Sequence, residues 1–146
     1  MKKLNVKKIL LILLPILAVG LATTVDSVMV YDSVAGTTEY YSYFDLVPDC
    51  SYQIVMPLAA ILSIVAGILA AVYIVGKKQG CLKGILVTTF CAATFAVLPN
   101  LLHGDVMVVP NVGLPLFMFV DCGLAYIMMK KPDKQEEAKA SRLDRR

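Results

Sequence analysis

The placement of charge constrains this chain more than any other feature. All 14 lysines and arginines fall in three places: the N-terminus (Lys2, Lys3, Lys7, Lys8), a short middle segment (Lys77, Lys78, Lys83) and the stretch from Lys130 onward. Six of the 11 acids occupy two other segments with no Lys or Arg: Asp26, Asp32, Glu39, Asp45 and Asp49, then Asp105. Four more acids lie in the tail, which leaves Asp121 by itself. Between the charged segments run four apolar stretches, residues 9–25, 54–75, 84–102 and 112–129. Each approaches the roughly 20 residues needed to cross about 30 Å of hydrocarbon.

A soluble basic protein has no reason to alternate charge in this way. A membrane protein does, because loops rich in Lys and Arg stay on the cytoplasmic side. Composition agrees: the chain is 58% hydrophobic with a mean hydropathy of +0.73, above the roughly one half apolar content of soluble domains. The pattern predicts an all-α membrane protein, a four-transmembrane-helix bundle in the cell (plasma) membrane with both termini cytoplasmic. Residues 26–51 and 103–111 form the outer loops, and residues 132–146 a polar cytoplasmic tail. The basic groups then act as topology signals rather than as a phosphate-binding face, which argues against nucleic acid as a partner. The expected partners are the lipid bilayer and either a second copy or another membrane protein.

The first stretch has two readings. A basic start followed by a short apolar core, with Gly20 and Ala22 at a cleavage spacing, also describes a signal peptide over residues 1–22. Its length favours an uncleaved first span, and cleavage would leave three spans in the same orientation.

The first outer loop is too long for a tight turn. "SVMVYDS" and "TTEYYSYFD" are rich in Val, Thr, Tyr and Phe, and "VAG" can turn between them, so a β-hairpin is expected on the outer face. The second loop repeats the Val-Met-Val of residues 28–30 at residues 106–108. This offers a third strand, ended by Pro110. The tyrosines gathered here (Tyr31, Tyr40, Tyr41, Tyr43, Tyr52) fit the headgroup layer, where Tyr is enriched.

Within the second span, Ala59, Ser63, Gly67 and Ala71 are spaced four apart and form a strip of small side chains on a helix. In lipid such a strip lets helix backbones approach closely. The second span is therefore expected at the centre of the packing.

Candidates for chemistry are few. Cys50, Cys81, Cys91 and Cys122 form no Cys-x-x-Cys pair, the arrangement that lowers a thiol pKa and supplies a resolving partner. His103 is the single histidine; with Asp105, Asp49 or Cys50 it makes at most a sparse ligand set, where zinc sites show several closely spaced ligands. No phosphate loop or nucleophile motif is present. No cofactor, metal or catalytic set is expected, and the chain does not read as an enzyme.

Asp121 remains, eight residues or about 12 Å above the inner edge of the fourth span. A carboxylate at this depth costs roughly 2.5–3.5 kcal/mol on insertion scales. The span's large apolar residues return a similar amount at about 0.3–0.6 kcal/mol each. Asp121 is therefore expected to face the other helices. With no Lys, Arg or His at its depth, desolvation favours the neutral acid. Counting inward from the span edges places Thr88, Cys91 and Thr94 of the third span nearest to it, as hydrogen-bonding neighbours.

The layout resembles that of claudin-like four-span proteins, with a longer first outer loop. The chain lacks tryptophan and the paired outer cysteines of that family, so the resemblance carries no function. Small multidrug transporters share the four spans and the single membrane carboxylate, but carry theirs in the first span. Two functional expectations follow: a non-enzymatic assembly, scaffold or accessory subunit, or a small transporter or channel component using Asp121 for proton or cation coupling.

Overall fold

The computed structural model describes residues 6–45, 54–101 and 106–130. Tyr52, Cys50, Asp49, His103, Asp105 and the tail 132–146 lie outside the described residues. Each apolar stretch folds as a helix: α1 (Val6–Ala22), α2 (Val55–Gly76), α3 (Gln79–Leu101) and α4 (Gly113–Lys130). Three strands complete the order, β1 (Val28–Asp32) and β2 (Thr37–Tyr41) after α1, and β3 (Val106–Pro110) after α3.

The helices α2, α3 and α4 are long and apolar enough to cross a membrane. The first is shorter, 17 residues, or about 26 Å. It starts three residues before the apolar stretch and ends three residues before it does. The early end has a local cause. The Thr23 and Thr24 hydroxyls donate to the Gly20 and Leu21 carbonyls at 2.7 Å each. These bonds satisfy carbonyls that a helix end leaves open. A short 3-10 turn, Val25–Ser27, then leads into β1.

Between α2 and α3 the chain uses only Lys77 and Lys78. Lys77 takes a left-handed conformation (φ 51°) and its N–H donates to the Tyr73 carbonyl at 2.7 Å, a helix stop usually given to Gly. So tight a turn starts α3 at Gln79, five residues before the apolar stretch, and draws Lys83 into its first turns.

The helices pack in a closed ring, α1 on α2, α2 on α3, α3 on α4 and α4 on α1. Contacts at named depths give the register. A Cβ on Gly67 of α2 would lie 3.5 Å from the Pro15 Cβ of α1, and one on Gly84 of α3 would lie 3.0 Å from Leu69 Cδ1 of α2. The Cys122 thiol of α4 lies 3.7 Å from the Leu86 carbonyl of α3. Leu21 of α1 meets Gly113 of α4 at the far end. Neighbours in the ring are therefore antiparallel.

The strip of small residues on α2 is packed only in part. Ala59 and Ser63 are fully buried, Gly67 is half-buried against Pro15, and Ala71 is exposed. A strict four-residue spacing drifts about 40° per step around a helix with 3.6 residues per turn. By Ala71 the strip has left the packed face, and Ala66 and Ala70 carry the contact in its place.

The strands form an antiparallel sheet in the order β2-β1-β3. Val28 faces Tyr41 on one side and Pro110 on the other, so the repeated Val-Met-Val does supply a third strand. Four residues turn the hairpin. The Asp32 carboxylate accepts from the Val34 and Ala35 N–H groups at 2.8 and 3.0 Å, and Gly36 sits at φ 65°, which Gly adopts without steric cost. Val28 and Val30 bury themselves on the end of the helix ring, where α1 finishes and α4 begins.

Tyr43, fully buried, locks this end. Its N–H donates to the Ala22 carbonyl at 3.0 Å and its hydroxyl to the Asn111 carbonyl at 3.1 Å. The Asn111 N–H reaches the Ser27 carbonyl at 2.7 Å, and its side chain caps α4 through the Gly113 N–H at 2.8 Å. A headgroup role therefore fails for Tyr43, although Tyr31 and Tyr40 are exposed. One buried ring holds the end of α1, the start of α4 and the β-sheet together.

Candidate functional site

The core of the helix ring divides into two apolar clusters. At the sheet end lie Ala18, Ala22, Met56, Ala59, Ala60, Ala92, Ala93, Ala96, Leu114 and Met118. At the end of the Lys77–Lys78 turn lie Leu11, Ala70, Tyr73, Leu82, Ile85, Ala125 and Met128. Between them each helix contributes a different kind of residue: Leu14 and Pro15 from α1, Ser63 and Ala66 from α2, Thr89 from α3 and Asp121 from α4, all buried. Ser63, Thr89 and Asp121 are the buried polar side chains of the described helices. Counted from the Lys77–Lys78 end of the helices, Thr89 and Asp121 stand at nearly one depth and Ser63 about 6 Å nearer the sheet.

Donors in this layer are already used. The Ser63 hydroxyl donates to the Ala59 carbonyl at 2.9 Å, and the Thr89 hydroxyl to the Ile85 carbonyl at 2.7 Å. Both bond backwards to their own helix, as hydroxyls in apolar helices commonly do. Asp121 is fully buried, and neither of its oxygens receives a hydrogen bond. The Pro15 ring nitrogen carries no hydrogen, so the Leu11 carbonyl loses its usual helical partner. Among the described residues the layer is rich in acceptors and offers no free donor.

Of the expected neighbours, the structure brings in only the region of Thr88. Counting from the helix ends at the Lys77–Lys78 turn, Asp121 is nine residues from Lys130, and nine residues from Gln79 leads to Thr88. The Cys122–Leu86 contact agrees with this level. Thr88 is half-buried and its hydroxyl donates to the Gly84 carbonyl at 2.9 Å. Cys91 is a half-buried free thiol about one turn further out. Thr94 is exposed and its hydroxyl donates to the Phe90 carbonyl at 2.8 Å. Starting α3 at Gln79 shifts every depth on that helix by about 7 Å, which is why Cys91 and Thr94 fall too far out.

Thr89 is the residue the sequence reading passed over. It stands beside Thr88 but about 100° away around the helix, and only the packing decides which of the two faces inward. Pro15, visible as an interruption of the first stretch, gains its meaning from facing the same layer.

Outside the helices the titratable groups are shaped by local bonds. Burial pushes the Tyr43 phenol well above its ordinary value. Hydrogen bonds from Ser42 hold Asp45 below the usual carboxylate range. Tyr41 is raised by its hydroxyl's bond to Glu39. Among the described residues no group of three or more His, Cys, Asp or Glu is placed to hold a metal.

No protein-family model, curated protein or solved structure matches the chain.

Proposed function

We propose that this chain is a multi-pass membrane protein whose four helices cross the bilayer, with the sheet on the outer side and the Lys77–Lys78 turn inside. One observation carries this reading. Only 33% of the residues in each of the three apolar windows of α2, α3 and α4 are buried in the protein. Ile61, Ile68, Val87, Phe90, Leu116, Val120 and Ile127 stay exposed on their outer faces, an apolar surface far larger than water-soluble proteins present. Lipid or another helix is the surface that matches it. The first helix belongs to the same set, since Leu11, Ala18 and Ala22 are fully buried by the other three. That packing supports an uncleaved first span.

Within the membrane we assign a non-enzymatic role as an assembly, scaffold or accessory subunit in the cell membrane. The apolar flanks and the exposed β2 strand, with Glu39 and Tyr40, supply contact surface. Co-purification from native membranes, with chemical crosslinking and mass spectrometry, tests it. Recovery of a stoichiometric membrane partner or a defined homo-oligomer supports the role. A lone monomer under the same conditions counts against it.

The buried, unpartnered Asp121 favours a second reading, a small transporter or channel component for protons or cations. Intramembrane acids often mark ion pathways. Liposomes carrying the purified chain should then show proton or cation flux that Asp121→Asn abolishes. Flux equal to that of empty vesicles removes this reading.

A further inference from the structure

The mid-depth layer poses a chemical problem that its own side chains do not solve. Ser63 and Thr89 have spent their protons on their own helices. Asp121 has two buried oxygens that receive none. The carbonyl that Pro15 releases is a further acceptor. A buried acceptor without a donor carries a desolvation penalty, larger still if charged. Among the described residues no charged side chain is placed to relieve it. On α1 the charged groups are Lys7 and Lys8, in its first turn. On α3 they are Lys83, near the start, with the thiols Cys81 and Cys91. On α4 itself they are Lys130, at the end, with the Cys122 thiol and the Tyr126 phenol. These lysines belong to the Lys77–Lys78 end of the ring, away from the layer.

What the layer lacks is a positive hydrogen, and two of its acceptors stand at one depth on adjacent helices. Leu21 and Gly113 meet at the sheet end. Asp121 is eight residues from Gly113, about 12 Å along α4. Leu11 is ten residues from Leu21, about 15 Å along α1, and its carbonyl points back toward the sheet end by about 2–3 Å.

We propose that this layer is a proton-binding site: Asp121 holds the proton as a carboxylic acid and donates it to the Leu11 carbonyl released by Pro15, tying α4 to α1. A metal ion would need a shell of several oxygens, whereas a proton adds no volume to a packed core. Pro15 and Asp121 then form a matched pair. The proline makes the acceptor and the acid supplies the donor. This link stands apart from ion flux, since a proton that stays in place still joins the helices.

The test uses the full chain in detergent or lipid nanodiscs. Infrared difference spectra between the wild type and Asp121→Asn are taken at about pH 6, where an ordinary aspartate with a pKa of about 3.9 is ionised. A protonated-carboxyl band assigned to Asp121 is expected; an ionised-carboxylate band overturns the proposal. A mutant cycle on thermal unfolding then tests the partner. Asp121→Leu should lower the melting temperature markedly in the wild type and much less in Pro15→Ala, where α1 recovers its own hydrogen bond. Equal losses in both backgrounds overturn the pairing with Leu11. Sodium-dependent stabilisation that Asp121→Asn removes overturns the choice of a proton over a metal ion. Asp121→Asn keeps a donor and should fold even where Asp121→Leu does not, so the infrared result holds independently.

Discussion

Tyr43 shows how much one side chain can hold. Its hydroxyl is the donor to the Asn111 carbonyl, and its backbone is bonded to the end of α1. Tyr43→Phe keeps the ring and leaves that carbonyl without its partner, a loss of about 1 kcal/mol. Tyr43→Ala also empties the site, and losses of about 3–5 kcal/mol accompany such truncations. Alkaline pH should act through the same residue. Burial raises the folded phenol above its unfolded value of about 10. Tyr43's contribution is complete below about pH 10 and is lost progressively above it, because only the unfolded chain then releases the proton. Melting curves across this range should decline for the wild type and less steeply for Tyr43→Phe. Parallel declines would assign the alkaline loss to other groups.

At the scale of the element, the close approach of α1 and α2 depends on Gly67. A Cβ there meets Pro15 at 3.5 Å, an ordinary contact. Gly67→Ala should therefore be accepted, with a gain of up to about 1 kcal/mol from helix propensity. Gly67→Leu places further carbons where the proline ring lies and should cost about 1–3 kcal/mol, as overpacking does. Thermal unfolding in detergent checks both, and a stable Gly67→Leu variant would show that α1 can withdraw freely. The strip of small residues four apart includes this contact but leaves the packed face before it ends. Ala71 is turned out, and Ala66 and Ala70 are turned in. The exit of α3's polar start from the sequence reading has a related cause. Hydropathy marks where a helix is apolar, while the two-residue Lys77–Lys78 turn marks where it begins.

At the scale of the whole molecule, the ring of antiparallel helices puts the β-hairpin and the Lys77–Lys78 turn at opposite ends. If the helices span the bilayer, single reporter cysteines in a variant with the native cysteines replaced should label from opposite sides. Gly36 tolerates no substitution without backbone strain, so Val34 at the exposed hairpin tip is the better position. Val34→Cys should react with an impermeant reagent on intact cells, and Lys78→Cys only after permeabilisation. Labelling of both from one side would remove the four-span topology.

The amino-acid sequence by itself determined that there would be four helical segments, with charged turns between them and strands in the polar loops. Those features rest on composition and spacing along the chain, which folding does not alter. The pairing of the third strand was legible for the same reason, through the repeated Val-Met-Val. Which faces of the helices meet was left to the tertiary structure. A helix offers every face in turn, and only packing in register chooses Thr89 over Thr88, buries Tyr43 rather than Tyr40, and brings Pro15 to the level of Asp121. The lone acid of the fourth helix is therefore a sequence feature whose neighbours are decided by packing, because its depth depends on where α3 and α4 begin and its partner on which helix stands beside it.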